Sequence, residues 1–473
     1  MSVPKRIAFN TIFSSTAKIS WTLIALIALG LVTRHLGIQG FGEYTTILAF
    51  YFMLSALVDL GLNHIVLREI SYREDEEKET KTVSLAFTIR MLMSLLMVLL
   101  AGGLVWFLPY SLEVKKGILL VSVGLFFSSG YQILAGVFQK RLLAYWVSAA
   151  ELLGRAANLF WVFLCVKFGA DLLWVLGGMI ASWFTTFIIV YILAKKKIGL
   201  KLEFSFSGSK KLIKSALPLG ISAVVTFLYF RLDTIILSVM KGSVDVGIYG
   251  AAYKIVENVS YFPAMFMGLV MPLWARYIFS DRKKFSRVAD RTFDAISIIA
   301  IGVAGGIYSL APKVIAIIAG AGFEASVVVL RILSVAIVGL FFAQYFNMML
   351  IAAKKQKQLL KVFLFCAVFN IGANFIFIGR FSYLAAAVIS SITEILVPIL
   401  GFVLVIKYCK YRPRLLSFLK VLAAGAIMMG FLFLTEKAPI YLQIVLGGGI
   451  YLLFSYFMGA FSREDFKKII SAR

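Results

Sequence analysis

Histidine is nearly missing from this chain: His35 and His64 are the only 2 in 473 residues. Two imidazoles are too few for a zinc or haem centre. Cysteine is almost as scarce. Cys165, Cys366 and Cys409 are scattered and odd in number, so they offer neither a disulfide framework nor a metal site. No cofactor is expected. Charged residues are only 15% of the chain, and acids are the scarcer sign, 23 against 48 Lys and Arg. No Walker-type phosphate loop occurs, so ATP does not power anything on this chain. No metal-binding or nucleophile motif appears. No connection between apolar runs is long enough to be a soluble domain, and an enzyme is not expected.

What the chain has in abundance is apolar sequence, 61% of its residues, with a mean hydropathy of +0.94. Repeated runs of about 20 apolar residues, rising ~1.5 Å each, match a ~30 Å bilayer core. Only helices and closed barrels satisfy their backbone there. These runs are continuous rather than alternating, so an all-α integral membrane protein is expected. Fourteen spans are read, at about 10–33, 43–63, 83–108, 117–138, 145–167, 172–194, 214–240, 247–271, 288–310, 327–352, 359–379, 382–406, 415–434 and 438–460. The first follows Lys5 and Arg6 with no convincing cleavage site, and is read as a retained span rather than a signal peptide.

Lys and Arg number 32 in one alternate set of connections and 8 in the other. By the positive-inside rule both termini are cytoplasmic, in a cell inner membrane. The net charge of +25 is therefore mostly an orientation signal, and nucleic acid is not an expected partner. The acidic segment Glu69 to Lys81 is read as a solvated loop or helix end.

Four motifs recur in order. Gly42-Glu43-Tyr44 returns as Gly247-Ile248-Tyr249. Arg90 opens the third span and Arg291 the ninth. V-G-L-F-F occurs at 123–127 and 338–342, and Gly154-Arg155-Ala156-Ala157-Asn158 is matched by Gly372-Ala373-Asn374. Six spans per half is an even number, so the repeat is parallel, with a pseudo-two-fold along the membrane normal. The expected organisation is a six-helix lobe at 1–194, a linker at 195–213, a second six-helix lobe at 214–406, and two further helices with a tail at 407–473.

The motifs R-L-D-T-I-I-L at 231–237, V-G-I-Y-G-A-A-Y-K at 246–254, L-G-I-Q-G-F-G-E-Y at 36–44 and D-L-G-L at 59–62 carry a resemblance. The chain resembles the multidrug/oligosaccharidyl-lipid/polysaccharide exporter superfamily, and within it the flippases for lipid-linked O-antigen and other polysaccharide repeat units. The resemblance covers essentially the whole chain. It implies two six-helix lobes around a cavity that opens alternately to each side. It implies a polyprenyl-diphosphate-linked oligosaccharide moved from the cytoplasmic to the outer leaflet for surface polysaccharide biosynthesis. The bilayer, a coupling ion (H+ or Na+) and other polysaccharide-assembly membrane proteins are the further partners considered.

The charges within spans support an anionic cargo independently. Lys18, Arg90, Arg155, Arg231, Lys254, Arg291, Arg331 and Lys420 outnumber the mid-span acids Asp59, Glu151, Asp233, Glu257 and Glu394. A charge at depth needs a wet cavity or a partner. Arg231 and Lys254 lie roughly 15 and 10 Å from the outer connector, with Asp233 and Glu257 at a similar level. The four form either a patch for a phosphate-bearing headgroup or an ion-pair network bracing two helices. Arginine suits phosphate because its planar fork meets two oxygens. A relay is expected from Arg90 and Arg291, through Lys18 and Arg155, to Arg231 and Lys254, then Arg331; snorkelling to lipid phosphate is the alternative for Arg90 and Arg291. Glu394, Asp59 and Asp233 are candidate protonation sites. Glu151 and Glu257 are candidate ion-pair partners of Arg155 and Lys254. Asn158, Gln344, Asn347, Asn370 and Asn374 are either sugar contacts or interhelical glue. Rival functions are a lipid-linked peptidoglycan precursor flippase, a cation-coupled multidrug antiporter, and a membrane-embedded glycan polymerase.

Overall fold

The computed structural model describes residues 3–71 and 75–459. The expected tail at 460–473 and the side chain of Lys18 lie outside the described residues. Among the described residues there is no strand. The α-helices are α1 (Val3–Asp59), α2 (Leu62–Ser71), α3 (Glu76–Leu104), α4 (Leu112–Lys140), α5 (Ala144–Phe168), α6 (Leu172–Lys195), α7 (Phe206–Met240), α8 (Ser243–Val259), α9 (Tyr261–Tyr277), α10 (Arg282–Ile318), α11 (Ala325–Ala352), α12 (Gln356–Cys409), α13 (Leu415–Leu434) and α14 (Ile440–Phe457). Ten described helical stretches are long and apolar enough to cross a bilayer, which makes this a multi-pass membrane protein.

Local backbone chemistry sets the breaks. α1 is two helices joined at Gly37, whose φ of 65° and ψ of −174° lie in a region that essentially only glycine occupies. α12 is likewise broken at Ser382, φ 50°. Leu60 and Gly61, both at positive φ, separate α1 from α2. The single span expected at 247–271 is instead two helices, α8 and α9. Pro263 has no N–H for the Val259 carbonyl and its ring crowds that oxygen, so the ladder is interrupted at Ser260.

The connection expected at 64–82 is largely ordered helix. α2 buries Leu62, Ile65, Val66 and Ile70 against α3 and α4. α3 is capped by Asp75, whose Oδ1 accepts from the backbone N–H of Glu77 (3.0 Å) and Lys78 (3.2 Å). The acidic segment is not wholly solvated. Glu79 is 1% exposed and accepts hydrogen bonds from Lys140 and Arg141 at the end of α4. One carboxylate thus anchors the start of α3 to the end of α4.

The chain divides into two compact units, Met1–Gly247 with Ile318–Gly320, and Ile248–Ile317 with Ala321–Arg473. The division falls one helix beyond the 195–213 linker, because α7 packs on α1, α2 and α3. Within the first unit the two Gly-x-Tyr steps meet. A Cβ on Gly42 would lie 1.7 Å from the Ser243 carbonyl oxygen, and one on Gly247 would lie 2.2 Å from that of Ile38. Only glycine lets these backbones touch. The V-G-L-F-F glycines also behave alike. Gly124 of α4 abuts Trp183 of α6, and Gly339 of α11 abuts the Glu394 carbonyl of α12. In the second unit α13 and α14 dock on α10. Lys313 donates to the Glu436 and Ala438 carbonyls (2.6 and 2.5 Å), and Tyr451 donates to the Ile298 carbonyl (2.7 Å).

Candidate functional site

In the first unit two half-buried arginines, on α5 and α7, project onto aromatic rings of α1. The Arg155 guanidinium, on α5, lies 4.9 Å from the Trp21 ring of α1. The Arg231 guanidinium, on α7, lies 4.7 Å from the Phe52 ring of α1. Arg155 also interacts electrostatically with Tyr44, Tyr51 and Tyr131. Tyr51 stacks on Trp183 of α6 at 4.0 Å. A cation over a ring face gains about 0.5–1 kcal/mol when exposed and ~2 kcal/mol or more when desolvated. The negative face of the ring steadies the guanidinium by attraction to its charge. Aromatic faces beside a cation suit a cargo with both phosphate and sugar.

The four charges of 231–257 sort into two local arrangements. Arg231 and Asp233 are two residues apart on α7. Asp233 is 2% exposed and accepts from the Thr234 backbone N–H (2.6 Å). Lys254 and Glu257 share a face of α8 in the second unit. The Lys254 ammonium donates to Glu257 Oε2 at 2.9 Å, and the two side chains are 17% and 20% exposed. Asn258 donates to the Lys254 carbonyl at 2.7 Å, tying down the same turn.

Other expected positions are placed differently. Arg90 neither snorkels nor faces an open path: it is 1% exposed and bonded to Asp59 of α1. Burial of an arginine demands such a partner, and the pairing takes Asp59 up as a counter-charge. Arg291, its repeat mate on α10, is exposed. Arg331 lies 5.7 Å from the Tyr308 ring, in an apolar setting rather than a polar patch. Glu394 is buried on α12 and interacts with Cys366. Glu151 is half-buried on α5 and interacts with Tyr131.

Most of the amides lie inside the protein. Asn158, Asn347, Asn370 and Asn374 are all buried, and Gln344 is half-buried. Asn374 donates to the carbonyl and side-chain oxygens of Asn370 (both 2.9 Å), and Asn370 donates to Thr393 (3.2 Å). These amides knit the two halves of α12 together. Trp21, Phe52, Tyr51 and Tyr131 were not singled out by the sequence. Each lies among other aromatics at no distinctive spacing, and only packing shows which rings meet a cation. No cluster of His, Cys, Asp and Glu among the described residues could hold a metal.

The helical architecture is that of a known transporter class. It is similar to the lipid II flippase MurJ in an inward closed conformation, with a TM-score of 0.81 at 17% identity over 95% of this chain and 99% of that one. It is also similar to an inward-facing MATE-family multidrug resistance transporter, with a TM-score of 0.64 at 14% identity over 90% and 99% of the two chains. At such identities the likeness is one of fold. Residues 7–278 match the family described as polysaccharide biosynthesis protein, and the chain belongs to that family. A putative O-antigen transporter of Shigella flexneri is 23% identical over 335 residues, 68% of this chain and 78% of that protein.

Proposed function

We propose that the protein is a flippase that carries a polyprenyl-diphosphate-linked oligosaccharide repeat unit from the cytoplasmic to the outer leaflet by alternating access. One observation carries the reading: Arg155 of α5 and Arg231 of α7 hold half-buried guanidinium groups over aromatic rings of α1. The family and the O-antigen transporter relative supply the cargo class. In this reading Arg155 and Arg231 bind phosphate oxygens, with Trp21, Tyr51 and Phe52 lining the sugar path. Lys254 in the second unit is a separate candidate for phosphate, and protonation of its partner Glu257 couples that exchange to a proton gradient. Lys18 and Arg291 remain candidates for the approach of the headgroup. The excess of basic residues in one set of connections, 32 against 8, supports cytoplasmic termini in the inner membrane.

The test is transport by the purified chain in vesicles holding defined lipid-linked glycans, with and without proton or sodium gradients. Outward movement of a polyprenyl-diphosphate oligosaccharide is expected, with Arg231→Ala and Lys254→Ala inserting normally but not transporting. Movement of the lipid-linked peptidoglycan precursor alone, or of organic cations alone, would overturn the cargo. Normal transport by both variants would remove the two cations from the site.

A further inference from the structure

A groove of about 650 Å³ lies in the second unit between α10, α11 and α12. That is within the ~300–1,000 Å³ typical of small-molecule sites. Its walls are branched aliphatics such as Val335, Ile392 and Ile399, and Arg331 is the one charged residue among the described residues that line it. The groove has a polar end and an apolar end. α11 and the second half of α12 run in the same direction, since Ser391 donates to the Ile332 carbonyl (3.0 Å) and Gly339 abuts Glu394 further along. Arg331, Tyr308 and Ser391 therefore share one level. From there to Ile399 the groove continues for eight residues, about 12 Å of helix, with only aliphatic walls.

The Arg331 Nε is shielded from solvent and has no hydrogen-bond acceptor in the protein. A buried charged donor without an acceptor is costly. Ser391 already uses its hydroxyl hydrogen on Ile332, and Tyr308 presents its ring to the guanidinium. The Nε is closed off from the groove, but the guanidinium is half-buried at the groove wall, and its terminal N–H groups suit an anionic acceptor attached to something that fills an aliphatic channel.

We propose that this groove is a resident-lipid site: one acyl chain of an anionic phospholipid lies against Ile392 and Ile399, and its phosphate accepts from the Arg331 guanidinium. The groove belongs to the second unit and Arg155 and Arg231 to the first, and the proposal does not depend on the cargo proposed above. Bilayer phospholipid surrounds a membrane-spanning chain, and the single cation selects the anionic kind. Phosphate oxygens meet the planar fork of arginine in pairs.

Native mass spectrometry of the full chain in detergent tests this, with phosphatidylglycerol and phosphatidylethanolamine of identical acyl chains titrated in competition. Wild type is expected to retain phosphatidylglycerol about tenfold over phosphatidylethanolamine, because both phosphates can accept from Arg331 but the ammonium of phosphatidylethanolamine repels the guanidinium. Arg331→Gln should bring the ratio near one, and Arg331→Lys should restore part of it. Ile392→Trp, which fills the channel, should lose both lipids while melting near the wild-type temperature. Should Ile392→Trp not fold, the Gln and Lys pair still decides the matter. Equal retention of the two lipids by wild type, or an unchanged ratio in Arg331→Gln, would overturn the proposal. Displacement of phosphatidylglycerol by undecaprenyl diphosphate at equal concentration would overturn it differently, by assigning the groove to a transported lipid.

Discussion

Arg90 and Arg155 are both arginines within the membrane, and their surroundings give them opposite uses. Arg90 is sealed against Asp59, so its charge is spent on structure. Asp59→Asn alone should destabilise the protein by about 3–5 kcal/mol, because it strands a buried cation. Asp59→Asn with Arg90→Met should recover most of that loss, as read from melting in detergent. Arg155, half-buried over Trp21, holds its charge against a ring. Arg155→Gln should cost no more than about 1–2 kcal/mol in stability, the loss of the contact with the ring, and slow glycolipid transport about 10–100-fold, the loss of one charged hydrogen bond to phosphate. Asp75 gives a pH dependence outside the membrane. Hydrogen bonds from the Lys78 side chain and from the backbone N–H groups of Lys78 and Glu77 hold its carboxyl below the ordinary value. A depressed carboxylate stabilises the folded form above its ordinary value, and that contribution is lost as pH falls through the depressed one. Protection of the Glu77 and Lys78 amides, measured against their intrinsic exchange rates, should therefore fall on acidification below about pH 4. In Asp75→Asn that pH response should be absent, and retention of the wild-type response would assign it to another group.

At the scale of elements, the decisive features are places where helices touch or break. Gly42 and Gly247 let two backbones meet, and a methyl at either would overlap a carbonyl. Gly42→Ala or Gly247→Ala should lower stability by about 1–3 kcal/mol or more, as expected when a tight contact is overpacked. Gly37→Ala should also destabilise, for a different reason. Nothing lies near its absent side chain, and the cost comes from its φ of 65° alone. The α8–α9 break places Lys254 and Glu257 on the last turns of a short helix rather than mid-span. Pro263 was visible in the sequence, yet hydropathy runs on across it, which is why one continuous span was expected there.

For the whole molecule the testable quantity is orientation. The native cysteines are all buried, so added ones should label against a low background. Lys210→Cys should react only with reagent on the cytoplasmic side, and Lys241→Cys only with reagent outside. Opposite labelling would invert the proposed direction of transport and the depth assigned to Arg231. The chain is a multi-pass membrane protein of the polysaccharide biosynthesis family with a fold like that of MurJ, and the cationic, ring-lined region of the first unit gives it an anionic cargo in our reading.

By itself the sequence determined the class of structure: long apolar runs leave a chain no alternative to membrane helices. It also determined the local pairing of Lys254 with Glu257, because residues three apart on a helix share a face. The crossing of its two Gly-x-Tyr steps was foreshadowed as a repeat but not as a contact. Tertiary structure decided which intramembrane charges are sealed and which stay partly open. Arg90 and Asp59 are 31 residues apart, as far beyond local rules as Trp21 is from Arg155. Burial depends on what neighbouring helices bring to a side chain. Hydropathy, summed along one strand of sequence, contains nothing about the partner that arrives from another.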